Sequence, residues 1–240
     1  MPFHHAPEPR PVPRAAPAPP TRKAQPAAPK EAPVNDLVVI GRAVPLFVLT
    51  NEQGQFYLIP GKEGRQVLFA HGTAAMARQL KERITSGNAA LGKSLRLSVI
   101  SLAQAMAIAI DPKQTISVAL TSPAFDVAEG RKRVKPGGAQ SPMAMPVFVI
   151  RNGQGGLLQM GEGAQRAVPA YLSFAEAMET LEQAKAAPGG AAAKLDIESA
   201  EMRDFLNALR AAQGGSMRFR LVPPRESIEA ARGVGRVEAP

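Results

Sequence analysis

Two ten-residue stretches of this chain are nearly the same: PLFVLTNEQG from Pro45 to Gly54 and PVFVIRNGQG from Pro146 to Gly155. The offset, 146 − 45 = 101, pairs Phe47 with Phe148, Asn51 with Asn152 and Gly54 with Gly155. It still holds much further on, where it pairs Leu120 with Leu221, Pro123 with Pro224, Val127 with Ile228 and Arg131 with Arg232. A period of about one hundred residues is too long for a solenoid unit and is the size of a small globular domain. The chain therefore reads as one unit written twice. The first repeat spans 36–131 and the second 142–235, with a basic linker at 132–141, a tail at 236–240 and an arm at 1–35 ahead of both.

Residues 1–34 hold eleven of the 23 prolines, five Lys or Arg and two Glu. With no hydrophobic run to bury, this segment is expected to be an extended, disordered arm, either a plain tether or a docking arm. It lacks the apolar stretch of a secretory signal and the serine content usual in a plastid transit peptide. No run in the chain approaches a membrane span. The absence of Cys excludes disulfides, thiolate nucleophiles and cysteine-ligated metals, and two of the three His are His4 and His5, which argues against a histidine-rich metal site. A core without Trp must be built from aliphatic residues and alanine, with Met available to fill irregular gaps. The net charge of +9 favours acidic partners or anionic surfaces.

In the first unit Leu37–Ile40 and Val44–Thr50 read as strands, Asn51–Gly54 as a turn, and Phe56–Ile59 as the hairpin partner. Gln66–Ala70 is a further strand, after which Thr73 caps a helix carrying Met76, Leu80 and Ile84. Leu95, Leu97 and Val99 alternate as a strand, Ser101 opens a second helix through Met106, and Ile116, Val118 and Leu120 alternate again. Ser122 and Pro123 start a short last helix that Gly130 is expected to stop. The second unit repeats this order. Ser173 and Glu176 form a capping box ahead of Met178 and Leu181, and Met202, Phe205, Leu206 and Leu209 line the next helix. Met217, Phe219 and Leu221 form the last strand, with Arg218 and Arg220 on its opposite face, which is expected to be solvated or to meet an acidic partner. The fold class that follows is α/β (α+β): two tandem pseudosymmetric repeats, each a mixed β-sheet packed with helices, after a disordered Pro-rich arm.

Catalytic signals are weak. Gly87, Gly92, Lys93 and Ser94 satisfy the phosphate-binding-loop pattern, but a helix precedes them and a strand follows, the reverse of what that loop needs. The 87–94 segment reads first as a helix-to-strand loop, and nucleotide binding there is the weaker alternative. Gly161 and Gly163 lack the third glycine of a dinucleotide fingerprint and read as a turn. His71 has no Ser and Asp partners assignable by spacing, so a structural role is favoured over a catalytic one. No enzyme activity, cofactor or small-molecule substrate is expected. The basic run at Arg131, Lys132, Arg133 and Lys135 is the candidate site for nucleic acid or another polyanion, with a solvated linker as the plainer reading.

The segments PVFVI, AYLSFAEAMETL, KLDIESAEM and RFRLVPP, with the Asn–Gly turn, resemble the family of the 22-kilodalton component of the chloroplast protein-import translocon and its cyanobacterial relatives. The resemblance covers about residues 37 to 234. It implies two tandem αβ halves and a non-enzymatic, chaperone-like factor of the plastid intermembrane space or periplasm, serving protein translocation or membrane-complex assembly. The implied partners are client proteins or subunits of a membrane or secretion complex. The candidate binding residues are Met76, Leu80, Met106, Met178, Leu181, Phe205 and Leu209, which are also candidates for the core. The Pro-rich basic arm departs from the family pattern and leaves the compartment open, the cytoplasm included.

Overall fold

The computed structural model describes residues 36–111, 115–134, 142–163, 166–188, 194–212 and 217–237. The arm, Lys135 and the rest of the linker to 141 lie outside the described residues. The first half runs α1 (Leu37–Arg42), β1 (Pro45–Thr50), β2 (Ile59–Pro60), a 3₁₀ turn (Lys62–Gly64), β3 (Gln66–His71), α2 (Ala74–Gly87), α3 (Ala89–Ser94), β4 (Arg96–Ser101), α4 (Leu102–Ile110), β5 (Ile116–Thr121) and α5 (Ala124–Lys132). The second runs β6 (Pro146–Arg151), β7 (Val168–Tyr171), α6 (Phe174–Ala186), β8 (Asp196–Glu201), α7 (Met202–Ala211), β9 (Phe219–Val222) and α8 (Arg225–Arg232).

The two sheets share one plan. In the first, β1 lies antiparallel to β4 and β3, and β3 runs parallel to β5, with the short β2 added against β3. In the second, β6 lies antiparallel to β8 and β7, and β7 runs parallel to β9. The registers correspond: Pro45 faces Ser101 as Pro146 faces Glu201, and Phe47 faces His71 as Phe148 faces Tyr171.

Strand side chains alternate between faces, so each sheet has two faces to cover. Leu46, Val48, Leu68, Ala70 and Ile100 of one sheet join Val147, Ala170 and Leu221 of the other in a single core, together with α1, α4 and α7. The outer face of the first sheet, with Phe47 and Val99, is covered by Ala74 and Ala77 of α2 and by Ala230 and Ala231 of α8. The outer face of the second, with Phe148, Ile150 and Ile197, lies under Phe174, Ala177 and Leu181 of α6.

The last helix of each half docks on the other half. α5 packs against β6, β8 and α6, while α8 packs against β1 and α2. The Asp126 carboxylate on α5 accepts from the Phe174 N–H at 2.8 Å, and Ser199 Oγ of β8 donates to the Gly130 carbonyl at 2.6 Å. In the mirror contact, Ser227 Oγ of α8 donates to the Gly72 carbonyl at 2.7 Å. Each helix is followed by a one-residue parallel bridge to the same foreign edge, Val134 to Ser199 and Arg236 to Val99. The halves consequently pack as one body.

Several sequence expectations change. Leu37–Ile40 is helical although its β-branched run favours a strand, because the Asp36 carboxylate accepts from the Val38 N–H at 2.8 Å and Leu37 and Gly41 bury against α4. Gly41 is needed there, since a Cβ would sit 2.9 Å from the Ala103 nitrogen. Phe56–Ile59 does not pair continuously: Phe56 makes one bridge to Thr50, and Ile59 turns to Val67. Pro123 rather than Ser122 is the N-cap of α5: its ψ of 143° is still extended, so the helix starts one residue later, at Ala124, with no side-chain cap. Gly130 does not stop α5; its missing Cβ, which would meet Pro146 Cβ at 2.7 Å, allows close packing on β6. The Ser173–Glu176 capping box does not form. Asp126 caps the Phe174 N–H instead, and Glu176 Oε1 accepts from the Arg225 N–H at 2.7 Å, starting α8. A true box forms at Ser101 and Gln104.

Candidate functional site

The seven apolar candidates do not share a surface. Leu181 is buried against the outer face of the second sheet, and Phe205 and Leu209 are buried in the shared core, where Phe205 meets Phe219 edge-on at 5.6 Å. These three are core residues, because an i, i+3, i+4 stripe marks a buried helix face as readily as an exposed groove. Met76 and Leu80 on α2, Met106 on α4 and Met178 on α6 are half-buried. Met106 packs on the shared core and Met178 beside Leu181.

Two clefts of similar size are found on opposite halves. One, about 600 Å³, lies between the loop after β6 and the end of α6, and its lining combines Leu157, Leu158, Met160 and Leu195 with polar side chains that include Gln159 and Arg166. Leu158 and Leu195 pack on the same cluster as Met178, which does not itself line the cleft. Asn152 shapes the loop: its side-chain oxygen accepts from the Gln154 and Gly156 N–H groups at 3.1 and 2.7 Å, and Gly155 takes φ +84°. Met160 is 41% exposed at the rim. A soft thioether and leucines around an open space suit varied apolar side chains of a partner polypeptide.

The other cleft, about 590 Å³, lies beside the β4 edge and brings Arg42, Arg232 and Arg236 together with Pro45, Val99 and Ile228. Sequence reasoning missed it. Arg232 stood out only as the counterpart of Arg131, and nothing in linear spacing joins residues 42 and 236 until α8 crosses to the first half.

The remaining motifs resolve into structural roles. Within the 87–94 segment Gly87 closes α2, Asn88 is a cap and Ala89–Ser94 form the helix α3, so it is not a loop. Lys93 and Ser94 stand at its C-terminal end, where the helix dipole repels phosphate. Gly92 is required for packing, as a Cβ would lie 2.5 Å from Thr85 Cα. Of the basic run, Lys132 and Arg133 are both paired to Glu129, which holds that carboxyl below its usual range; the Arg133 guanidinium also sits 4.1 Å over the Phe174 ring. Arg131 is exposed, and Lys135 lies outside the described residues. Gly161 and Gly163 take positive φ in a turn. His71 is buried, with Nδ1 2.7 Å from Thr121 Oγ1, a bond that holds the ring in the sheet. Among the described residues no group of three or more His, Cys, Asp or Glu could hold a metal, and no helix is long and apolar enough to cross a membrane.

No protein-family model matches the chain, and no curated protein matches it. Solved structures do. The structure titled Anabaena Tic22 (protein transport) is 20% identical, with a TM-score of 0.68 over 84% of this chain and 97% of that one. Tic22 from Plasmodium falciparum is 16% identical, with a TM-score of 0.65 over 81% of this chain and 94% of that one. The chain has the Tic22 fold, as the resemblance read from its motifs led one to expect.

Proposed function

We propose that this chain is a Tic22-type protein-transport factor. It acts as a non-enzymatic chaperone or adaptor that holds apolar segments of client proteins, or links subunits of a membrane complex, in a periplasm or an intermembrane space. The two halves are copies of one ancestral unit. The observation that carries the reading is the likeness to Anabaena Tic22, described as protein transport, over 84% of this chain and 97% of that one. The Met160 cleft supports it by supplying an apolar contact surface. Of the sequence candidates, Met76, Leu80, Met106 and Met178 are assigned to further half-buried contacts outside the cleft itself.

The test is suppression of aggregation of a chemically unfolded client by the full chain at stoichiometric ratio. Met160→Asp with Leu157→Asp, which places charge at the cleft, is expected to reduce suppression severalfold without lowering the unfolding midpoint appreciably. A wild-type chain that leaves aggregation unchanged and retains no envelope protein on crosslinking sinks the reading.

A further inference from the structure

We infer that the basic cleft of the first half is a receptor for a carboxylate-bearing segment of a partner, an acidic peptide with apolar side chains. The inference deepens the protein-binding reading and rests on it.

In the second half the chain places its own carboxylate and an apolar side chain at the corresponding position. Glu201, opposite Pro146, turns its carboxylate onto the N–H groups of Ala144 and Met145 at 2.8 and 3.2 Å. Met143 is buried beside it, and Gly130 lets α5 approach to where a single methyl would clash with Pro146. In the first half the register puts Ser101 where Glu201 stands, and the 101-residue offset puts Arg42 at the position of Met143 and Ala231 at that of Gly130. Ala231 carries a methyl where Gly130, packed against Pro146, has none. Ser101 is shorter than Glu201, and its hydroxyl is committed to the Gln104 N–H at 3.1 Å. An open cleft lies at this place in the first half.

The charge of the cleft is what an internal Glu would have answered. Arg42, Arg232 and Arg236 all line it, all are exposed, and none is paired with a carboxylate among the described residues. Guanidinium groups bind carboxylates through paired hydrogen bonds, and Pro45, Val99 and Ile228 supply apolar contact between them. The size, about 590 Å³, accommodates one or two side chains rather than a length of duplex or a bilayer surface. β4 is also an edge strand whose outer side is bridged by the chain's own Arg236 segment at Val99, so the cleft adjoins backbone already used for strand addition.

The test uses fluorescence anisotropy with the full chain and a short labelled peptide in which Glu alternates with Leu, against the same peptide with Gln for Glu. The Glu peptide is expected to bind at least about tenfold more tightly, with the difference shrinking as salt is raised. R42Q/R232Q/R236Q erases that difference, while R65Q/R83Q/R210Q, which removes equal charge elsewhere, retains it. Ser101→Glu keeps all three arginines but supplies an internal carboxylate, and is expected to weaken the Glu peptide by a similar factor. Equal binding of both peptides, or full binding by the triple cleft variant, overturns the assignment. So does tighter, cleft-dependent binding of an RNA oligomer or of phosphatidylglycerol vesicles, which would make this a polyanion or lipid site. If aggregation of the unfolded client is still suppressed in those cases, the transport-factor reading stands without the cleft. Loss of both suppression and peptide binding removes both.

Discussion

His71 is held by one ring nitrogen and buried at the other. Nδ1 lies 2.7 Å from Thr121 Oγ1, Nε2 has no partner among the described residues, and the ring stacks on Phe69 at 6.2 Å. Charging such a ring means placing a cation where water cannot solvate it, so burial lowers its pKa from 6.5 to about 4. The unfolded chain then takes up the proton first as pH falls. The stability associated with His71 is fully present above about 6.5, is lost progressively down to about 4, and changes no further below that. A loss of up to about 3 kcal/mol across this window is expected. His71→Asn, which keeps a hydrogen-bonding side chain toward Thr121 but does not titrate, should remove this part of the slope. Urea unfolding of both proteins from pH 7 to pH 4 checks it, and parallel curves would mean the imidazole is solvated.

At the scale of elements the informative one is α5. Its Asp126 caps α6 from another half, its Gly130 permits contact with Pro146, and Ser199 reaches across to its backbone. Gly130→Ala is expected to cost about 1–3 kcal/mol by overpacking. The loss of amide protection should fall on β6, β8 and α6 of the second half rather than on β1 and α2 of the half that contains the mutation. Hydrogen exchange resolved along the chain distinguishes the two. This element also shows where the sequence stops being legible. The strands carrying Phe47 and Phe148, the Thr73 cap and the Asn turns follow from local chemistry and were readable. The 101-residue offset reveals two similar halves but is silent on which sheet a terminal helix covers, since α5 and α8 obey the same offset whether they fold back or cross over. Glu176 looked like a capping-box residue because Ser173 precedes it by three, and only the arrival of Arg225 from α8 takes its carboxylate away. The basic cleft stayed invisible for the same reason: its arginines converge only through the crossing.

For the whole molecule the crossing makes the two halves mutually dependent. Phe47 and Val99 on one sheet are covered in part by Ala230 and Ala231 of the other half, and α5 covers β6 and β8 in return. The core between them draws on both sheets and on α1, α4 and α7 together. Separated chains of residues 36–134 and 142–237 would each retain a helix with no sheet to cover and a sheet face with no helix over it, in addition to half of the shared core. Exposed apolar area on that scale, at roughly 25 cal/mol per Å², outweighs the marginal stability of a unit of this size. Each fragment alone is therefore expected to give poorly dispersed amide resonances and to bind a hydrophobic dye, while mixing them equimolarly restores a dispersed spectrum and a single cooperative unfolding transition. Cutting the intact protein between residues 135 and 141 should leave that spectrum in place, because the contacts across the halves do not depend on the linker. Fragments that fold separately, each with protected amides of its own, would show that α5 and α8 fold back onto their own sheets. The basic cleft, which needs α8 beside β4, would then have to be absent as well.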